Sequence, residues 1–143
     1  MKITFDTNII LDAMIEGREG CVAAKQLILA AAEDEIEGII SANSVTDIYY
    51  IAKKYLGDAK TREAIYSLLT VFRASSIESD DCLRALELPM ADFEDALLAV
   101  CSERECADYI VTRDKDFIAA KSPVAAKSPD ELLSLLRKTH SPD

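Results

Sequence analysis

Ala107-Asp108-Tyr109-Ile110-Val111-Thr112-Arg113-Asp114-Lys115-Asp116-Phe117 decides the fold of this 143-residue chain. Tyr109-Ile110-Val111 is an uninterrupted apolar run of aromatic and β-branched residues, the signature of a strand buried on both faces. It stops at Thr112-Arg113-Asp114, so a carboxylate stands at the strand's C-terminal edge, where open α/β sheets bind their ligands. The N-terminus repeats the pattern, with the short strand Ile3-Thr4-Phe5 followed by Asp6-Thr7-Asn8. Parallel strands that each end in an aspartate crowd two negative charges. Such crowding is costly unless a cation shares them, which points to a metal site.

The length supports one domain with a real core and is short for two. It is read as a single domain over residues 1–137, with a tail at 138–143 that frays. Half of the residues are hydrophobic and 29% are charged, ordinary values for a water-soluble globular chain. No apolar run approaches the roughly 20 residues of a membrane span, and the first residues lack a secretory apolar region. The expectation is a cytoplasmic protein with no membrane association. Cys21, Cys82, Cys101 and Cys106 include no C-x-x-C pair, so each is expected to be a small buried hydrophobe. With one histidine, His140, zinc is disfavoured. The net charge of −10 excludes a general nucleic-acid grip by a basic surface. It leaves room for a nuclease whose acids are neutralised by a metal, and for a basic partner peptide.

Strand and helix patterns alternate along the rest of the chain. Helical periodicity over residues 8–15 and 21–33 leads to a second buried strand, Glu37-Gly38-Ile39-Ile40-Ser41. A helix follows at once, capped by Ser41 or Asn43 and stopped at Gly57-Asp58, with Asp47 expected in its first turn. A helix at 60–72, a weak strand at 74–77 and a helix from Glu78 to Leu88 come next. Met90-Ala91-Asp92 opens a helix carrying Asp95, with Asp92 three residues away on the same face. An edge strand at Val124-Ala125 and a helix starting at Ser128-Pro129 complete the pattern. The alternation predicts a three-layer α/β/α sandwich around a parallel sheet of about five strands.

On this reading Asp6, Asp47, Asp95 and Asp114 converge at one edge as an acidic pocket without histidine or cysteine. Hard oxygen donors of this kind suit Mg²⁺ or Mn²⁺. A divalent ion there activates water and stabilises a leaving oxygen, the needs of phosphodiester hydrolysis. Lys53-Lys54, Arg113 and Lys115 are candidates to contact RNA phosphates, with a solvated helix face as the plain reading of the first two. Tyr49, Tyr50 and Tyr55 offer stacking surfaces, although packing within the helix is the simpler account.

Phe5-Asp6-Thr7-Asn8, then Asp95-Ala96-Leu97, then Ile110-Val111-Thr112-Arg113-Asp114-Lys115-Asp116-Phe117 resembles the PIN domain in order and spacing. The likeness runs from Met1 to about Leu136, and the closing block is its most specific part. It implies a metal-dependent ribonuclease similar to the VapC-type toxins of toxin–antitoxin pairs. The resemblance makes Asp6, Asp95 and Asp114 metal ligands, with Asp116 as an accessory carboxylate. Asp47 matches an acidic position where Glu is more usual. Asn8 and Thr112 take the place of groups that orient the ligands. Asp92 either joins them or caps its helix. It further implies an antitoxin with a basic segment and a homodimer formed through apolar helices. Two other readings stand beside it: a non-catalytic PIN-like binding module, inert through Asp47, and a phosphatase or phosphoryl-accepting domain of the haloacid-dehalogenase type with Asp6 as nucleophile. The second usually carries an Asp where this chain has Asn8.

Overall fold

The computed structural model describes residues 1–140; residues 141–143 and the side chain of His140 lie outside it. The strands are Lys2–Phe5 (β1), Glu37–Ser41 (β2), Arg73–Ser75 (β3), Tyr109–Val111 (β4) and Ala126–Lys127 (β5). The helices are Thr7–Met14 (α1), Cys21–Ala32 (α2), Ala42–Leu56 (α3), Asp58–Val71 (α4), Ser79–Glu87 (α5), Phe93–Arg104 (α6), Lys115–Ala119 (α7) and Pro129–His140 (α8). All strand pairings are parallel, and the sheet order is β3-β2-β1-β4-β5.

Helices cover both faces, which is why the strands read as apolar runs. On one face Ile3, Phe5, Ile40 and Val111 pack with Ile9, Leu27, Ile48, Ile65 and Leu132. On the other, Ile110 and Ala126 pack with Leu98, Ala99 and Phe117. Gly38 admits the Phe72 ring to the sheet: a Cβ there would stand 2.5 Å from Phe72 Cδ1. Phe72 in turn meets Phe5 edge-on at 4.7 Å between centroids. The expected three-layer α/β/α sandwich with five parallel strands is the fold observed.

The central strands fall where the apolar runs placed them, and the edges do not. β3 begins at Arg73 instead of Ala74 and ends at Ser75 instead of Ile77, and β5 follows Val124-Ala125 instead of including it. Strands of two or three residues carry too little alternation to fix their own limits. At the C-terminus α8 spans Pro129–His140, so residues 138–140 of the expected tail are helical, and residues 141–143 of it lie outside the described residues.

The helices α2 and α6 end in the same device. Glu35 N–H donates to Ala30 O and Asp34 N–H to Ala31 O; Ala107 N–H donates to Ser102 O and Cys106 N–H to Glu103 O. These are paired backbone closures that need a left-handed residue, here Asp34 and Cys106, both at φ 60°. This conformation puts Cys106 on the surface. Of the four cysteines expected inside, only Cys101 is buried. Because a side chain strains the left-handed region, Cys106→Gly is expected to stabilise the protein by about 0.5–1 kcal/mol, read as a higher urea midpoint at unchanged slope.

Candidate active site

The strand order reverses direction between β1 and β4, the place in an open parallel sheet where adjacent loops diverge and leave a crevice. Phe5 pairs with Val111, so the next residues, Asp6 and Thr112, leave the sheet side by side. Asp6 N–H donates to Val111 O at 3.0 Å. Each chain then turns straight into a helix. Asp6 caps α1, accepting from Thr7 N–H at 2.8 Å, and Asp114 caps α7, accepting from Asp116 N–H at 2.9 Å. Asp92 caps α6 in the same way, accepting from Asp95 N–H at 3.0 Å. Capping therefore accounts for where three of the acids sit, without reference to function.

Thr112 and Asn8, expected to orient ligands, both bond to Asp6. The buried Thr112 hydroxyl donates to Asp6 Oδ2 at 2.7 Å and accepts from Asp114 N–H at 3.1 Å. Asn8 Nδ2 donates to Asp6 Oδ2 at 3.2 Å and lies 3.4 Å from Thr112 Oγ1. Both Asp6 oxygens thus accept hydrogen bonds, a setting that holds the carboxylate still. It gives no special support to Asp6 as a free nucleophile.

The electrostatics are those of an uncompensated acidic cluster. Burial pushes Asp6 above its ordinary value; hydrogen bonds from Thr112 and Thr7 oppose this, and the charges of Asp114 and Asp92 add to it. Burial, then the charges of Asp92, Asp6, Asp114 and Glu94, push Asp95 up to about 7. Glu94 is raised by burial and by Asp47, with smaller effects from Asp6 and Asp92. Among the described residues, no lysine or arginine forms an ion pair with any of these acids. Nor are any three carboxylates already gathered at ion-ligand spacing. The acids act on one another through charge without forming, among the described residues, a ready-made ligand set. That suits a hard divalent ion held by one or two carboxylates and keeping several waters.

A family model described as PIN domain matches residues 2–116. The chain belongs to the PIN domain family. No curated protein matches the sequence. Solved PIN-like structures do match the fold. The VapBC2 complex of Rickettsia felis, bound to a DNA fragment from its promoter, superposes with a TM-score of 0.68 at 18% identity, covering 90% of this chain and 98% of that one. The Mycobacterium tuberculosis toxin VapC20, described as cleaving the sarcin–ricin loop, gives 0.68 at 19% identity over 84% and 95%. A toxin–antitoxin complex from Klebsiella pneumoniae gives 0.64 at 26% identity over 89% and 97%.

In this PIN domain Asp95, Asp114 and Asp116 line one cleft of about 600 Å³ with Asp92, Met90 and Ala91, while Asp6 and Asp95 line a second, smaller pocket; Asp95 is the acid common to both. Asp92 both caps α6 and adds charge next to Asp95. Asp47 differs from expectation. The helix α3 starts at Ala42 directly from β2, so Asp47 is its sixth residue, in the second turn, about 7.5 Å along the axis from the first. The pocket beside Asp6 and Asp95 is lined instead by Ser41, Asn43, Ser44 and Glu94. Asp47 meets the carboxyl of Glu94. Glu94 is the acid that sequence reading passed over. Its signal was its place in the first turn of α6, one residue before Asp95.

Arg113 also departs from expectation. Its guanidinium turns away from the cleft onto Asp12, with Nη2 2.9 Å from Asp12 Oδ1 and Nε on Oδ2, so the RNA contact expected of it is replaced by an internal ion pair. Lys115 is exposed and remains available. Lys53 and Lys54 lie on a solvated face of α3. Tyr50 and Tyr55, for which packing was the simpler account, stand exposed. Tyr49 is partly covered, with its hydroxyl on Asp58.

Proposed function

We propose that this PIN domain is a Mg²⁺- or Mn²⁺-dependent endoribonuclease, the toxin of a toxin–antitoxin pair. The observation carrying this reading is the mutual charge coupling of Asp6, Asp95 and Asp114 at the sheet's switch point, where, among the described residues, no lysine or arginine pairs with them. Asp6, Asp95 and Asp114 would hold the ion, with Asp116 at the edge and Asp47 acting from behind Glu94. Bound there, a divalent ion supplies an activated water and charge neutralisation at the phosphodiester. Thr112 and Asn8 keep the Asp6 oxygens fixed in direction. The exposed ammonium of Lys115 steers a phosphate toward the mouth. These roles for the individual residues are the reading's own.

Likeness to toxin–antitoxin complexes supports a cognate antitoxin, and the net charge of −10 suits one with a basic segment. A homodimer through apolar helix faces belongs to the same proposal. Among the described residues, no helix is long and apolar enough to cross a membrane.

The test is cleavage of single-stranded RNA with and without Mn²⁺, alongside calorimetric titration of Mn²⁺ into the metal-free protein. Metal-dependent cleavage supports the reading. No binding at millimolar Mn²⁺ would instead support a non-catalytic module. Because Glu94 lines the pocket and Asp47 touches it, Glu94→Gln is expected to weaken Mn²⁺ binding about tenfold, checked in the same titration.

A further inference from the structure

The second turn of α1 contains a carboxylate with no assigned role. Asp12 is fully buried in an otherwise largely apolar eight-residue helix. A charge in that position requires partners, and it has two. Arg18 Nε lies 3.1 Å from its Oδ1, and Arg113 reaches it with Nη2 at 2.9 Å and with Nε. Gly20, at φ 86°, presses its backbone over the pair: a Cβ there would stand 2.9 Å from Asp12 Oδ2 and 3.1 Å from Arg113 Cδ. A side chain at position 20 would force the pair apart.

Arg113 is flanked by the two residues that matter most at the end of β4. On one side is Thr112, bonded to Asp6; on the other is Asp114, which caps α7. The turn is therefore tied to α1 at the helix start, by Thr112 on Asp6 and by Arg113 N–H donating to Asn8 Oδ1 at 3.4 Å, and again a turn and a half later by the Arg113 guanidinium on Asp12. Beyond the tie, Asp114, Lys115 and Asp116 are all exposed and make little packing of their own. Asp114 is also repelled by Asp6 and Asp95, as its effect on both shows. Repulsion would splay the acids; a bidentate guanidinium on a buried carboxylate resists it in both distance and direction. Buried ion pairs commonly contribute little net stability, so geometry is the better reason for this one.

We infer that Asp12 is a positioning residue: through Arg113 it holds the β4–α7 turn so that Asp114 faces Asp6 and Asp95. The consequence for metal and RNA rests on the nuclease reading above; the mechanical claim does not.

The experiment compares Asp12→Asn, Arg113→Met and the double variant with the parent chain. Each single variant leaves Asp12 or its amide in contact with Arg18, so the folded state has a partner for the group that remains. In the metal-free protein, hydrogen exchange at residues 113–118 is expected to speed up at least tenfold in both single variants, with β1 and β4 amides unchanged. Mn²⁺ affinity is expected to fall about 10–100-fold, and kcat on RNA to fall with it while KM stays constant. The double variant should be no worse than either single one, the non-additivity of groups acting as a unit. A raised KM in Arg113→Met with Asp12→Asn silent would overturn the inference, making Arg113 a phosphate contact after all. Unchanged exchange in the turn would also overturn it. If the parent chain neither binds Mn²⁺ nor cleaves RNA, the nuclease reading falls, and the exchange measurement still decides whether Asp12 holds the turn.

Discussion

Asp6→Asn and, separately, Asp114→Asn are expected to lower metal-dependent RNA cleavage by about a thousandfold or more, over ~4 kcal/mol of transition-state stabilisation. Each removes a negative charge from the acidic cluster while keeping shape and one carbonyl oxygen. Folding should survive. At Asp6 an amide oxygen still accepts from Thr7 N–H, and the Thr112 hydroxyl, which can accept as well as donate, adapts to the new donor, with loss of the bond from Asn8 Nδ2. The same variants should melt higher than the parent when metal is absent, because burial and neighbouring charges penalise the ionised Asp6. The check is a paired measurement of initial cleavage rate at saturating Mn²⁺ and of thermal unfolding in chelator. Loss of activity with a lowered Tm would indicate a damaged fold. Full activity in both variants would remove Asp6 and Asp114 from the chemistry.

The second large effect concerns pH. Asp95 is held near 7 in the folded protein against an ordinary value of 3.8, so between these pH values the folded state binds more protons than the unfolded state. Its contribution to stability is fully present below about pH 4 and is lost as pH rises through 7. Asp6 and Glu94, also raised, act in the same direction. Asp81 and Glu105 are lowered, by Arg104 and Arg73 against the opposing effect of burial, and their contributions are lost only as pH falls through the acid range below that window. Metal-free protein should therefore melt higher at pH 5.5 than at pH 8. Asp95 is partly exposed, so solvent screening discounts its shift, and a change of about 1 kcal/mol, or roughly 3–6 °C, is expected. Mn²⁺ at pH 8 should restore the loss, since an ion that binds the folded state stabilises it by mass action. Asp95→Asn should flatten the pH dependence and blunt the Mn²⁺ effect. A Tm that rises steadily from pH 5.5 to 8 would show that the acids are not crowded in solution.

The chain announces the centre of its fold more clearly than its edges. β4 is a continuous apolar run, and β1 and β2 carry their buried apolar residues Ile3, Phe5, Ile39 and Ile40 within short β-favouring stretches. Asp6 stood out because it directly follows Phe5, Asp114 because only Thr112 and Arg113 separate it from the end of β4, and Asp95 because it stands in the first turn of a helical segment. Relations set by tertiary packing were not legible. Nothing in Thr112-Arg113-Asp114 says that the arginine turns inward, because its partner Asp12 lies 101 residues away. The one available hint was a lone acid in the apolar run Ile9-Ile10-Leu11-Asp12-Ala13-Met14. Asp47 was misplaced by one turn, since the helix begins at the strand's last residue with no loop between. That displacement is what brings Glu94 forward. Cys106 reads as a buried small hydrophobe by type, but its left-handed backbone, closing α6, carries it outward.

The most direct test is a crystal of the protein grown with Mn²⁺, with anomalous scattering recorded at the metal's absorption edge. The account predicts a peak between Asp6, Asp95 and Asp114, with Glu94 and Asp116 at the rim, and its loss in Asp6→Asn. A Mn²⁺-saturated crystal with no peak at that edge of the sheet, or with ions only on remote surface carboxylates, would contradict it.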